Sequence, residues 1–275
     1  MRYRYLAEQI YLRPWLITAE AHASIRLLFS QVIERGFTPT AMDLADMFPQ
    51  RKPLEIDGQG IATVHIFGPV GKGLSAMEQS CGATSMEQIR SDYASALAGG
   101  ARGILLHVDS PGGTITGTPE IADLVASQPL PTVAYTEDMM ASAAYYMAAG
   151  ANLIVASKSA DVGSIGVYIP WVDSSAQYEA EGLKPDPIIG AGGDLKAIGF
   201  GGSLTPEHRA YLQEGVDSSL ADFKAHILAH RNVPESAMRG QTLDGKAALA
   251  ANLVDAIGDM GAARAILSRL ISATV

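Results

Sequence analysis

The feature that most constrains this chain is a texture repeated between residues 61 and 157, where short apolar, β-branched runs alternate with helical stretches. The run IATVHIFGPV (61–70) reads as a strand ending at Gly-Pro, and PTVAYT (131–136) and NLIVAS (152–157) read as two more. ARGILLHVDS (101–110) is apolar almost throughout, the pattern of a strand covered on both faces. Between these runs, Ser85 and Gln88 form a capping-box pattern at the start of a helix whose Ile89, Tyr93 and Leu97 share one face. Gly99-Gly100 ends it. Thr118-Pro119-Glu120 opens a second helix, and ASAAYYMAAG (141–150) is a short third. This alternation predicts βαβ units with parallel strands and right-handed crossovers, hence an α/β protein. Longer helices are predicted at 206–231, 244–252 and 260–273.

Residues 1–50 read as amphipathic helix, with Ile25, Leu28 and Ile33 near a 3.6 period and breaks at Pro14, Gly36 and Pro39. The expected organisation is an N-terminal helical extension over 1–53 and one main domain over 54–275. The total of 275 residues sits near the upper limit of a single core, about 250–300 residues.

Net charge is −9, and the 20 basic residues form no stripe. A binder of phosphate backbones needs concentrated positive charge, so nucleic acid is excluded as a direct ligand. Cys81 is the single cysteine; it allows no internal disulfide or cysteine metal site, fits a reducing compartment, and reads as a small buried or loop thiol. No metal and no cofactor are expected. Charges and polar residues interrupt every apolar run of the first 33 residues, which leaves neither a signal-peptide core nor a membrane span. The expected location is the cytoplasm, or packaging from it, with no membrane anchor.

Chemistry concentrates just after the predicted strands, where sites collect in parallel sheets. In Asp109-Ser110-Pro111-Gly112-Gly113 the glycines let backbone amides point outward and cradle an oxyanion, although a plain turn has the same composition. Ser142 stands at the start of a helix of small residues, a place for an exposed nucleophile or for an ordinary N-cap. Lys196 lies in the glycine-rich segment 190–202 among apolar neighbours. An amine there serves as a base once desolvation removes its charge; a solvated lysine paired with Asp194 is the alternative. The six histidines are His22, His65, His107, His208, His226 and His230, and none falls between 107 and 208. Lysine is therefore the better candidate to activate Ser142.

Segments 109–113 and 141–146, the stretch Val162-Gly163-Ser164-Ile165-Gly166-Val167, Lys196 in its glycine-rich loop and the ending GQTLDGKAALAANLVDAIGDM (240–260) occur in this order. As a set they resemble the S49 peptidases, the family of signal peptide peptidase A and of phage head-maturation proteases. The resemblance spans roughly 54–262 and leans to the phage capsid branch. It implies a crotonase/Clp protease-like spiral of ββα units with a parallel sheet. It also implies Ser142 as nucleophile, Lys196 as general base, Ser164 as the residue that orients the lysine amine, and the backbone amides of Gly113 and Ala143 as oxyanion hole. Substrate would be held as an added strand by Gly112, Thr114, Gly163, Ile165 and Gly166. Family members often carry glycine where this chain has Ala143.

The reading this supports is a serine endopeptidase with a Ser-Lys dyad that processes capsid or scaffold proteins of a phage or prophage, packaged in a procapsid. It would act as a homo-oligomer with sites near subunit interfaces and prefer small or apolar residues before the cut. The alternatives are a catalytically silent capsid-associated structural protein and a crotonase-type acyl-CoA enzyme.

Overall fold

A computed structural model describes residues 14–35, 53–80 and 82–273; Cys81 lies outside them. Strand β1 (Trp15–Ile17) and helix α1 (Ala19–Arg35) come first, followed by the short β2 (Glu55–Ile56). Three turns of one ββα pattern then succeed each other. The first runs through β3 (Ile61–Phe67), β4 (Val70–Gly71), α2 (Ala76–Ser80), β5 (Thr84–Ser85) and α3 (Met86–Ala98). The second is β6 (Gly103–Asp109), β7 (Gly112–Thr114) and α4 (Thr118–Ala126), and the third is β8 (Thr132–Thr136), β9 (Met139–Ala141) and α5 (Ala143–Ala148). A fourth begins with β10 (Leu153–Ala156) and β11 (Asp161–Gly163). The chain continues through α6 (Ser175–Ala180), a 3-10 turn at Asp194–Ala197, α7 (Pro206–His230), β12 (Thr242–Leu243), α8 (Gly245–Ala250), β13 (Ala256–Ile257) and α9 (Met260–Ala273).

In each turn the first strand joins a six-stranded sheet of order β13-β10-β8-β6-β3-β2, parallel except for β2. The second strand leaves it for one of two small sheets, β1-β7-β4-β5 or β12-β11-β9. The expected α/β architecture is therefore present. Both faces of the large sheet are covered, which explains the unbroken apolar run of β6: its Gly103–Val108 are all buried. On one face α9 lays Ala263, Leu267 and Ile271 against Ile61, Leu105 and Val133. On the other, Ile89 and Tyr93 of α3, Ile121 of α4 and the whole of α5 pack into the main core.

Three local expectations are corrected. Residues 15–17 are a strand and not part of a helix, because their backbone pairs with β7 instead of closing on itself. Leu97 is 44% exposed, and Ala96 closes the buried face of α3. Ser85 makes no side-chain cap; its hydroxyl donates to Glu87 at 2.7 Å.

Helix α5 is fixed from behind by one arginine. Arg231 is 8% exposed; it donates to Ala149 O at 3.2 Å and Ala151 O at 2.7 Å, just past the helix C-terminus, and pairs with Asp255. Asp255 in turn accepts from Ile154 N at 2.7 Å, and Tyr145 OH donates to Leu253 O at 2.8 Å. Removing one partner of such a pair leaves the other uncompensated. Arg231→Ala is expected to lower stability by about 3 kcal/mol, read from denaturant unfolding followed by circular dichroism.

Candidate active site

The site is built where two paired strands end side by side. β9 runs parallel to β11 with Ala141 opposite Gly163, and the residue after each pair is a serine. Ser142 and Ser164 both take positive φ, 56° and 51°, a region that residues other than glycine seldom occupy and that costs on the order of 1–3 kcal/mol. The surroundings impose it. Ser142 N donates to Gly163 O at 2.7 Å, Ser164 N donates to Gln241 O at 2.8 Å, and α5 starts at the next residue, with Tyr146 N closing on Ser142 O at 2.8 Å. The result is a sharp strand-to-helix turn that presents a serine side chain at its apex, the geometry of a nucleophile elbow. Ser142 is 1% exposed, and its Oγ has no hydrogen-bond partner among the described residues. A buried hydroxyl without a partner costs free energy in the resting protein, and it leaves the oxygen available for chemistry.

The 109–113 loop is bolted to the same strand. Ser110 exchanges backbone bonds with β9, donating N–H to Met139 O at 2.8 Å and accepting from Ala141 N at 3.0 Å. Its hydroxyl donates to Gly68 O at 2.6 Å and accepts from Gly112 N at 3.2 Å. Gly112 has φ +104°, and a methyl added there would lie 2.9 Å from Ser142 Cβ and 3.0 Å from Ala143 N. The absent side chain is what lets this backbone reach the serine. Gly113 sits beside Val70 of β4, where a Cβ would meet the Val70 carbonyl at 1.8 Å. The structure thus brings together Ser142, Ala143, Gly112, Gly113, Gly163 and, one residue on, Ser164. Thr114 ends the same short strand, while Ile165 and Gly166 line a cavity of about 670 Å³ with Ser164, Val167 and Tyr168.

Lys196 makes no bond to Ser142. It lies exposed in the 3-10 turn of a long excursion. No ion pair with Asp194 is found among the described residues. From 166 to 201 no residue is buried, although Ile188 (102%), Phe200 (60%) and Leu183 (54%) are large and apolar. The base of this arm is closed by Trp171, whose ring covers Gly199 (φ +71°) and whose Nε1 donates to Gly202 O at 3.1 Å. The sequence reading missed Ser110, Tyr168 and the strand at 15–17. Ser110 lies inside the 109–113 motif, and Trp15-Leu16-Ile17 after Pro14 is a three-residue apolar run hidden within a helical period.

A strained, buried serine at a strand-to-helix turn beside a glycine-bearing amide loop is the hallmark of α/β proteins built around a serine nucleophile. The sequence profile of peptidase family S49 matches residues 125–273, and the chain belongs to that family. It is similar to a Methanocaldococcus jannaschii protein provisionally named a protease (32% identical over 164 residues, 57% of this chain and 52% of the other). It is also similar to protease 4 of Salmonella typhi (30% over 214 residues, 74% and 33%) and to capsid assembly protease C of Escherichia phage lambda (29% over 175 residues, 62% and 39%). The chain spans about half the length of the first curated relatives it matches, 52%, 58% and 51%.

One carboxyl near the site is electrostatically uncomfortable. Burial, reinforced by the charges of Asp138 and Glu137, pushes the Asp109 carboxyl above its ordinary pKa. A raised carboxyl holds its proton more tightly in the folded chain than in the unfolded one. Stability is therefore unaffected below the unfolded pKa of about 3.9 and is lost as pH rises through the folded value. Asp109→Asn removes that loss. The melting temperature of the variant, relative to the unchanged chain, is expected to rise from pH 3 to pH 7; a constant difference across that range would contradict the assignment.

Proposed function

We propose that this chain is a serine endopeptidase in which Ser142 is the nucleophile and Lys196 the general base, acting on capsid or scaffold polypeptides of a phage or prophage. The observation that carries the chemistry is Ser142 itself, forced to φ 56° with an unpartnered hydroxyl beside Gly112 and Ala143. Similarity to a phage capsid assembly protease supports the biological setting.

In this reading the lysine amine takes the Ser142 proton and the alkoxide attacks the carbonyl carbon of the scissile peptide. The tetrahedral oxyanion rests on the N–H groups of Gly113 and Ala143, the lysine returns the proton to the leaving amine, and water hydrolyses the acyl-enzyme. Ser164, on the turn beside Ser142, would orient the amine. An amine in water is protonated and cannot begin this cycle, so the lysine must be stripped of water first. The exposed apolar arm suggests how. Large apolar side chains such as Ile188 and Phe200 left on the surface mark an interaction face. Packing that arm against a neighbouring copy would dry Lys196 and bring it to a serine, in its own chain or the next. A homo-oligomer with sites at its interfaces follows.

The test is cleavage of an unfolded polypeptide at matched concentration and pH. Ser142→Ala and Lys196→Ala are each expected to lower the rate by about a thousandfold or more, with unchanged circular dichroism, and a fluorophosphonate probe is expected to label Ser142. Equal cleavage by all three chains would overturn the assignment.

A further inference from the structure

Strand β1 does not lie on the outside of the domain. Trp15, Leu16 and Ile17 are 6%, 2% and 3% exposed, and backbone pairs hold them from both sides. On one side β1 runs antiparallel to β7, with Trp15 opposite Thr114, Leu16 opposite Gly113 and Ile17 opposite Gly112; beyond it Thr18 N donates to Pro111 O at 3.0 Å. On the other side Trp15 exchanges both backbone bonds with Tyr168, N to O at 3.0 Å and the reverse at 3.4 Å. Successive residues of an antiparallel strand turn their N–H and C=O to opposite sides. Because Trp15 faces Tyr168, Leu16 faces Gly113. The Leu16 carbonyl oxygen is 2.1 Å from the point where a Gly112 Cβ would sit, the same point that is 2.9 Å from Ser142 Cβ and 3.0 Å from Ala143 N.

A peptide strand whose carbonyl faces the Gly113 amide beside Ser142, seated between 112–114 and Tyr168, has the placement required of a substrate. We propose that β1 is a resident intramolecular ligand: it fills the path of the residues preceding a scissile bond, with Leu16 in the position of the residue cut after, and keeps other polypeptides out until it is displaced. This rests on the reading of Ser142 as nucleophile. It also specifies the substrate class, an extended apolar segment with an aliphatic side chain at the cut and a large aromatic one residue earlier. The pocket for that aromatic is formed in part by His22 and Tyr168. The Trp15 and His22 rings lie 5.2 Å apart, and Tyr168 Oη hydrogen-bonds His22 Nδ1 at 3.0 Å. The unpartnered Ser142 hydroxyl, with no lysine bonded to it, is the resting state such an occupant would maintain.

Two variants open the groove from different ends. Leu16→Asp places a charge at a buried position, and Trp15→Gly removes the aromatic anchor. A fluorescent peptide RPWLITAE, the sequence of residues 13–20, is titrated into Ser142→Ala protein with and without Leu16→Asp. Binding is expected to be at least about tenfold tighter when the resident strand is disrupted. With Ser142 intact, both strand variants are expected to cleave unfolded casein about tenfold faster than the unchanged chain, and the free peptide should slow them competitively. A chain lacking residues 1–17 gives the same comparisons if a substitution unfolds the protein. Equal or absent peptide binding with and without the disruption, or slower cleavage by the folded variants, would overturn the proposal. Cleavage that Ser142→Ala does not abolish strikes the peptidase reading instead and leaves the peptide-binding result standing.

Discussion

The site depends on the parallel pairing of β9 with β11. Ala141 and Gly163 are register partners, and at the residue after each the backbone turns through positive φ. Ser142 and Ser164, the residues that follow this register pair, thus stand at the same edge. The strain is affordable because α5 is almost wholly buried: every residue from Ala143 to Ala148 is covered, and the Arg231 and Tyr145 bonds anchor its far end to the C-terminal part of the chain. Small side chains are essential to that arrangement. A helix of alanines packs with its axis close to its neighbours, and Tyr145 and Tyr146 fill what the alanines leave.

The architecture was legible in the sequence wherever burial imposes a period or a run. β6 reads as apolar because both its faces are covered, and the starts of α4 and α7 are marked by Thr-Pro-Glu in each case. The second strands of each turn were not legible. β4, β7, β9 and β11 have two or three residues each, too short for alternation to register, and the glycines of β7 and β11, required by positive φ or close backbone approach, look like loop composition. α3 shows the limit of face counting: Ile89 and Tyr93 fall inside, but the drift of a 3.6 period brings Ala96 inward and turns Leu97 out.

Ser142 and the 109–113 loop beside it could be singled out from sequence because tight turns and close backbone approach demand particular residue types there. No such demand fixes the position of Lys196. Apolar neighbours of Lys196 suggested a dry pocket, but along the chain apolar composition does not distinguish a residue packed inside from one awaiting a partner. Ile188 and Phe200 are exposed in the single chain. Three residues at the N-terminal end escaped notice for a related reason, since their strand character comes entirely from the backbone partners that meet them in space.

Those partners carry a consequence for how the molecule is made. β1 leaves the ribosome early, whereas the walls of its seat, Gly113 and Tyr168, are synthesised far later. It cannot close until the centre of the fold exists, and closure over so long a sequence separation is slow compared with local helix formation. The pairing of β1 is therefore a late event in the making of each chain, open only once residue 168 has been synthesised.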